Sequence, residues 1–130
     1  MKFHHFGIAC KDFESLKLFY RKQNYSIGEE VYDSIQNVNL VFCKSTIHPN
    51  VELIKPFNKK SPLNNFLKFS ETSIYHLCYA TKKSEKQVLD FFKNQKIIKI
   101  SGPDPAILFN YKKVAFYYIK NVGIIEILYL

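Results

Sequence analysis

Downstream of Asp12 the apolar residues Phe13, Leu16, Phe19 and Tyr20 recur at three- and four-residue spacing, which predicts one face of a helix with Asp12 as its N-cap. A second such segment opens Ser84-x-x-Gln87, a capping-box pattern, and runs on through Val88, Phe91 and Phe92. Helices are therefore expected over roughly 12–23 and 84–94. Enrichment in β-branched and aromatic residues predicts strands near 25–33, 36–44 and 49–55 after the first helix, and near 97–101, 112–119 and 123–129 after the second. An apolar stretch precedes each helix, so each half of the chain reads β-α-β-β-β. Between the halves, Ser61-Pro62 suits the N-cap and first position of a short linker helix through Leu63, Phe66 and Leu67.

Sliding the chain along itself shows why the halves look alike. With His5 set over His76, an offset of 76 − 5 = 71 residues, Ala9 falls on Ala80, Lys11 on Lys82, Glu14 on Glu85 and Leu18 on Leu89. Further on, Val38–Cys43 resembles Val114–Ile119, and Asn50–Ile54 resembles Ile124–Leu128. The reading is one α+β domain of two tandem βαβββ modules, about 1–57 and 73–130, joined by a linker helix at about 61–70.

The repeat also aligns chemistry. Each half has a His at the start of its first strand and a Glu in its last, 52 − 5 = 47 and 126 − 76 = 50 residues apart. Glu52 stands in Val-Glu-Leu-Ile and Glu126 in Ile-Ile-Glu-Ile-Leu, both otherwise suited to burial. A carboxylate there is costly unless a cation compensates it. One divalent ion shared by His5, Glu52, His76 and Glu126 would compensate both, and the mixed nitrogen and oxygen donors suit Zn, Ni, Co, Mn or Fe. His4 points to the other side of its strand from His5, and His5 is the one in register with His76. His48, beside Pro49, reads as a solvent-exposed turn residue.

Composition narrows the class. The chain has 130 residues, 47% of them hydrophobic and 16% aromatic, which excludes a disordered protein. Nineteen Lys and Arg against eleven Asp and Glu give +8, but the lysines are scattered. That argues against nucleic acid and leaves either a solvated basic surface or an anionic small molecule such as a coenzyme A or glutathione conjugate. Cys10, Cys43 and Cys78 form no CxxC pair and lie in apolar stretches, so they read as buried and reduced. No signal-peptide pattern and no apolar run of membrane-spanning length is present, so the expectation is a cytoplasmic protein without a membrane partner.

The motifs His5-Phe6-Gly7-Ile8-Ala9, Val51-Glu52-Leu53-Ile54-Lys55-Pro56, Ser61-Pro62, Tyr75-His76-Leu77-Cys78-Tyr79, Lys113-Val114-Ala115-Phe116 and Ile125-Glu126-Ile127-Leu128 resemble the glyoxalase and methylmalonyl-CoA epimerase branch of the vicinal-oxygen-chelate superfamily over nearly the whole chain. The resemblance implies the glyoxalase/bleomycin resistance/dioxygenase fold, a curved mixed sheet forming a cup around the metal, with ligands at His5, Glu52, His76 and Glu126. It implies a lyase or isomerase in which the metal stabilises the enediolate or enolate left when a base takes the proton next to a carbonyl. Glu126, and secondarily Glu52, are the candidate bases, the substrate being a hemithioacetal or an acyl thioester. Homodimers are common in the superfamily, so one is expected here.

Two segments depart from the epimerase pattern. Ser34-Ile35-Gln36-Asn37 has Ile35 where the epimerases carry an acidic residue, and Ser101–Asn110 is apolar with two prolines, either a cover over substrate or a rigid connection. The alternatives are a non-enzymatic resistance-type binding protein, which usually lacks the full ligand set, and an iron oxygenase, which uses fewer protein ligands.

Overall fold

In strand β1 (Lys2–Ala9), His5, Gly7 and Ala9 are buried while Phe6 and Ile8 between them are half-buried, the period-two pattern of a strand with packing on both faces. β1 belongs to a mixed α+β chain of nine strands and three helices, and a computed structural model describes all of residues 1–130. The residues group into two compact units, His5–Tyr75 and His76–Leu130 with Met1–His4. No helix is long and apolar enough to cross a membrane.

In the first unit, β5 (Asn50–Pro56) lies parallel to β1 and antiparallel to β4 (Val38–Lys44), and the short strands β2 (Ser26–Ile27) and β3 (Val31–Asp33) both pair with β4. Helix α1 (Glu14–Lys22) covers one face through Leu16 and Tyr20, with Phe13 just ahead of it, over Cys10, Val41, Cys43, Val51 and Leu53. Phe19, expected on that stripe, is 54% exposed. At 3.6 residues per turn it falls roughly a quarter-turn from the centre of the stripe set by Phe13, Leu16 and Tyr20.

Helix starts shift by about one residue from expectation. The N-cap of α1 is Phe13, and Asp12 instead accepts the Glu14 N–H at 3.1 Å. Helix α2 (Leu63–Leu67) begins after Pro62, with the Ser61 carbonyl accepting the Asn64 N–H. The strand expected over 25–33 is two strands. Gly28 runs against β4, its N–H bonded to the Phe42 carbonyl at 2.9 Å, and a Cβ there would lie 2.7 Å from that oxygen. The close approach admits only glycine, and the chain leaves the ladder before β3.

In the second unit, β9 (Gly123–Tyr129) is parallel to β6 (Ser73–Thr81) and antiparallel to β8 (Lys113–Ile119), which pairs with β7 (Ile97–Pro105). The opening residues of β1 group with this unit, where Phe3 meets the Tyr79 ring edge-on. Helix α3 (Glu85–Phe91) starts with the expected capping box: Ser84 Oγ accepts the Gln87 N–H, and the Ser84 N–H donates to Gln87 Oε1 at 2.8 Å. It seats Val88 on Ala115, Tyr117, Ile119, Ile125 and Ile127, with Phe92 alongside. Phe91 is 59% exposed.

β7 outruns its expected end at 101 because register shifts at Ser101 and Asp104 carry the pairing past Gly102-Pro103. A proline is tolerated there because β7 pairs on one side only. Much of the Ser101–Asn110 segment is therefore strand, followed by a 3₁₀ turn over Ile107–Phe109. Ala106 and Phe109 pack on Cys78, Val114, Phe116 and Leu128, so the segment is a packed wall.

All three cysteines are buried and none forms a disulfide, as their apolar settings imply. Burial pushes the Cys10 and Cys43 thiols up from 9.0 to about 11. Between those values the unfolded chain releases protons that the folded chain keeps, so stability falls as pH rises through the interval. Urea titrations at pH 8, 9, 10 and 11 are expected to show this decline, with a shallower slope in Cys10→Ala/Cys43→Ala. An identical slope in the variant would assign the decline to other groups.

Candidate metal centre

The parallel ladder of the first unit sets Gly7 beside Glu52, so His5, two residues earlier on the same face, reaches the same carboxylate. His5 Nε2 lies 3.8 Å from Glu52 Oε1, and both side chains are buried. Across the antiparallel ladder Phe42 stands opposite Glu52 and turns its ring edge-on to the imidazole, 5.4 Å between centroids.

The second unit repeats the arrangement. Cys78 pairs with Glu126, and His76 Nε2 approaches Glu126 Oε2 at 2.9 Å, again with both side chains buried. Phe116 stands opposite Glu126 and edge-on to His76, also at 5.4 Å. The second contact is within hydrogen-bond reach and the first is an ion-pair distance only.

Phe42 and Phe116 are thus equivalent, with 116 − 42 = 74 and 126 − 52 = 74. The sequence alignment had set Val38 on Val114, an offset of 114 − 38 = 76, two residues out of register. A two-residue slip keeps every side chain on its own face, so alternating hydrophobicity cannot detect it.

The structure brings the four predicted residues together in pairs, His5 with Glu52 and His76 with Glu126. Each of the four can offer one ligand atom. Two imidazoles and two carboxylates buried on apolar strands are a donor set that fits a divalent ion, since a cation removes the penalty of burying the carboxylates. His4 is half-buried and meets Phe109 edge-on, and exposed His48 stacks near the Tyr25 ring, so neither joins the pairs.

Sequence reasoning overlooked Asp33. It is buried at the end of β3, where Oδ1 accepts the Ile35 and Gln36 N–H groups at 2.9 and 3.1 Å and Oδ2 accepts from Gln36 Nε2 at 3.1 Å. Ile35 is 54% exposed on that turn. The signal was present as an Asx-turn: an Asp two residues ahead of the turn's centre, with Asn37 in the left-handed region at φ 56°. Cys78 was read only as a buried thiol, yet it lies beside Glu126 where the first unit has Gly7. The offset of 71 already aligned the two.

A family model described as Glyoxalase/Bleomycin resistance protein/Dioxygenase superfamily matches residues 4–116. The mitochondrial methylmalonyl-CoA epimerase of Dictyostelium discoideum is 28% identical over 124 residues, covering 94% of this chain and 73% of that protein. Among solved structures, a hypothetical protein from Bacillus halodurans superposes with a TM-score of 0.82 at 20% identity, covering 99% of this chain and 94% of its own. A Streptomyces coelicolor methylmalonyl-CoA epimerase variant in complex with 2-nitronate-propionyl-CoA gives 0.77 at 16% identity, covering 99% and 96%.

The Asp33 turn is a structural device separable from the His–Glu pairs. Asp33→Ala is expected to destabilise the fold by about 1–3 kcal/mol in urea titration and to speed amide exchange at Ile35 and Gln36. Unchanged exchange at those two amides would show that the carboxylate does not hold the turn.

Proposed function

Because the chain belongs to the glyoxalase/bleomycin resistance protein/dioxygenase superfamily, we propose that it is a metal-dependent isomerase that removes and returns the proton next to the carbonyl of an acyl-CoA thioester. The observation that carries this reading is the twofold occurrence of one unit of chemistry, a buried imidazole against a buried carboxylate at matching register, in His5–Glu52 and His76–Glu126. These four residues would hold a single divalent ion, of Zn, Ni, Co, Mn or Fe. The chemistry such an ion supplies when bound is Lewis-acid polarisation of a carbonyl oxygen.

The remaining tasks belong to the chain. Glu126 is the base that takes the proton; His76 Nε2 stands 2.9 Å from its carboxylate, and the edge of Phe116 packs against that imidazole. Glu52 is the second candidate base for the proton's return. Asp33 is engaged by three hydrogen bonds of its own turn and takes no part. Apolar neighbours on the same strand faces, such as Ile54 and Leu128, keep water from these carboxylates. The epimerase relatives favour a coenzyme A thioester over a hemithioacetal, and the net charge of +8 suits an anionic substrate.

Elemental analysis of the purified protein is expected to find a single divalent ion per chain, lost in His76→Ala. With methylmalonyl-CoA in deuterated water, the parent is expected to exchange the hydrogen next to the carbonyl, and Glu126→Gln to slow exchange by about 10²–10⁴-fold. A parent that takes up none of the added metals would sink the metal-dependent reading. Turnover of the methylglyoxal–glutathione hemithioacetal without thioester exchange would replace the isomerase by a lyase.

A further inference from the structure

The strands that carry His76 and Glu126 have a second face. Leu77 and Tyr79 alternate with His76 and Cys78 along β6, and Ile125 precedes Glu126 on β9, so these side chains point away from the metal ligands. With Ile119 they floor a cavity of about 300 Å³ within the second unit. Phe92 walls it from the end of α3, and Phe91 and Val122, 59% and 55% exposed, form its lip. Gln95 and Tyr79 are the lining side chains that carry a polar group.

The exposed charged residues that neighbour the lining in sequence are mostly basic. Lys93 follows Phe92, Lys96 follows Gln95, Lys120 follows Ile119, and Lys2 precedes Phe3, whose ring touches Tyr79. The Lys120 N–H bonds the Lys96 carbonyl at 2.9 Å, so the two loops bearing those lysines meet at one end of the cavity. All four lysines are exposed, and the lysine ion pairs of this chain, Lys55–Glu30 and Lys99–Glu85, lie elsewhere. Apart from Glu126 on the opposite face, Asp90 is the one acidic residue adjacent in sequence to a lining residue.

We propose that this cavity is a second binding site, for a single-chain anionic amphiphile such as a medium-chain fatty acid, with the alkyl tail on Leu77, Tyr79, Ile119 and Ile125 and the carboxylate at the Lys96–Lys120 end. Its size falls at the small end of ligand pockets. At about 30 Å³ per water-sized group it holds on the order of ten methylenes. A second copy of the chain is the weaker fit, because its own lysine rim would be brought against this one.

Decanoate below its micelle concentration, titrated into the full chain by calorimetry, is expected to bind saturably with one site per chain. Decanol, lacking the charge, and acetate, lacking the tail, are each expected to bind at least roughly tenfold more weakly, the cost of about 1.4 kcal/mol. Val122→Glu at the exposed lip and the charge reversal Lys96→Glu/Lys120→Glu are expected to weaken decanoate by a similar factor while their melting temperatures stay at the parent value. No saturable decanoate binding, or binding that both variants leave unchanged, would overturn the proposal. So would binding to anionic phospholipid vesicles without binding of free decanoate, which assigns the face to a membrane surface. A parent dimer by sedimentation that Val122→Glu converts to monomer would likewise overturn it, assigning the face to self-association.

Discussion

A carboxylate placed in the middle of an apolar strand loses several kcal/mol of hydration that the surrounding side chains cannot return. Glu52 and Glu126 are both in that position, 4% and 2% exposed, and the rest of each unit is arranged around them. The parallel pairing of β1 with β5, and of β6 with β9, is what brings an imidazole to each. The antiparallel partner strand supplies a phenylalanine across the ladder, and the helix of each unit takes the other face. A cation shared by the carboxylates would relieve the penalty that this arrangement creates.

The two units solve the same problem with different tolerances. His76 is within hydrogen-bond reach of its carboxylate and His5 is not, and Cys78 stands where the first unit has Gly7. The outer strands diverge most. β2 and β3 are fragments separated at Gly28, whereas β7 is one long, twice-bulged strand. The pairing next to each glutamate is thus shared, and the difference is concentrated in strands that do not touch it.

Each strand beside the pairs has two sides with separate duties. In β6 the sequence His-Leu-Cys-Tyr alternates between the face that carries the His76–Glu126 pair and the apolar cavity under α3, so a change of packing at Leu77 reaches His76 through one peptide unit.

Self-similarity of the chain was enough to single out the four residues that form the two buried His–Glu pairs, because a repeated unit carries its residues at a nearly constant offset, and the burial of Glu52 and Glu126 followed from their apolar neighbours. The capping box at Ser84 and the three buried thiols were legible for the same reason, since their physics is local. Register was not. A two-residue slip between β4 and β8 leaves the alternating pattern unchanged, and only the ladder opposite Glu52 and Glu126 shows that Phe42 matches Phe116. The split at Gly28, the extension of β7 past Gly102-Pro103, the outward turn of Phe19 and Phe91 and the closure of Asp33 on its own turn also needed the folded chain. Each depends on which backbone or side chain arrives from a distant part of the sequence, and periodicity within a window carries no record of that neighbour.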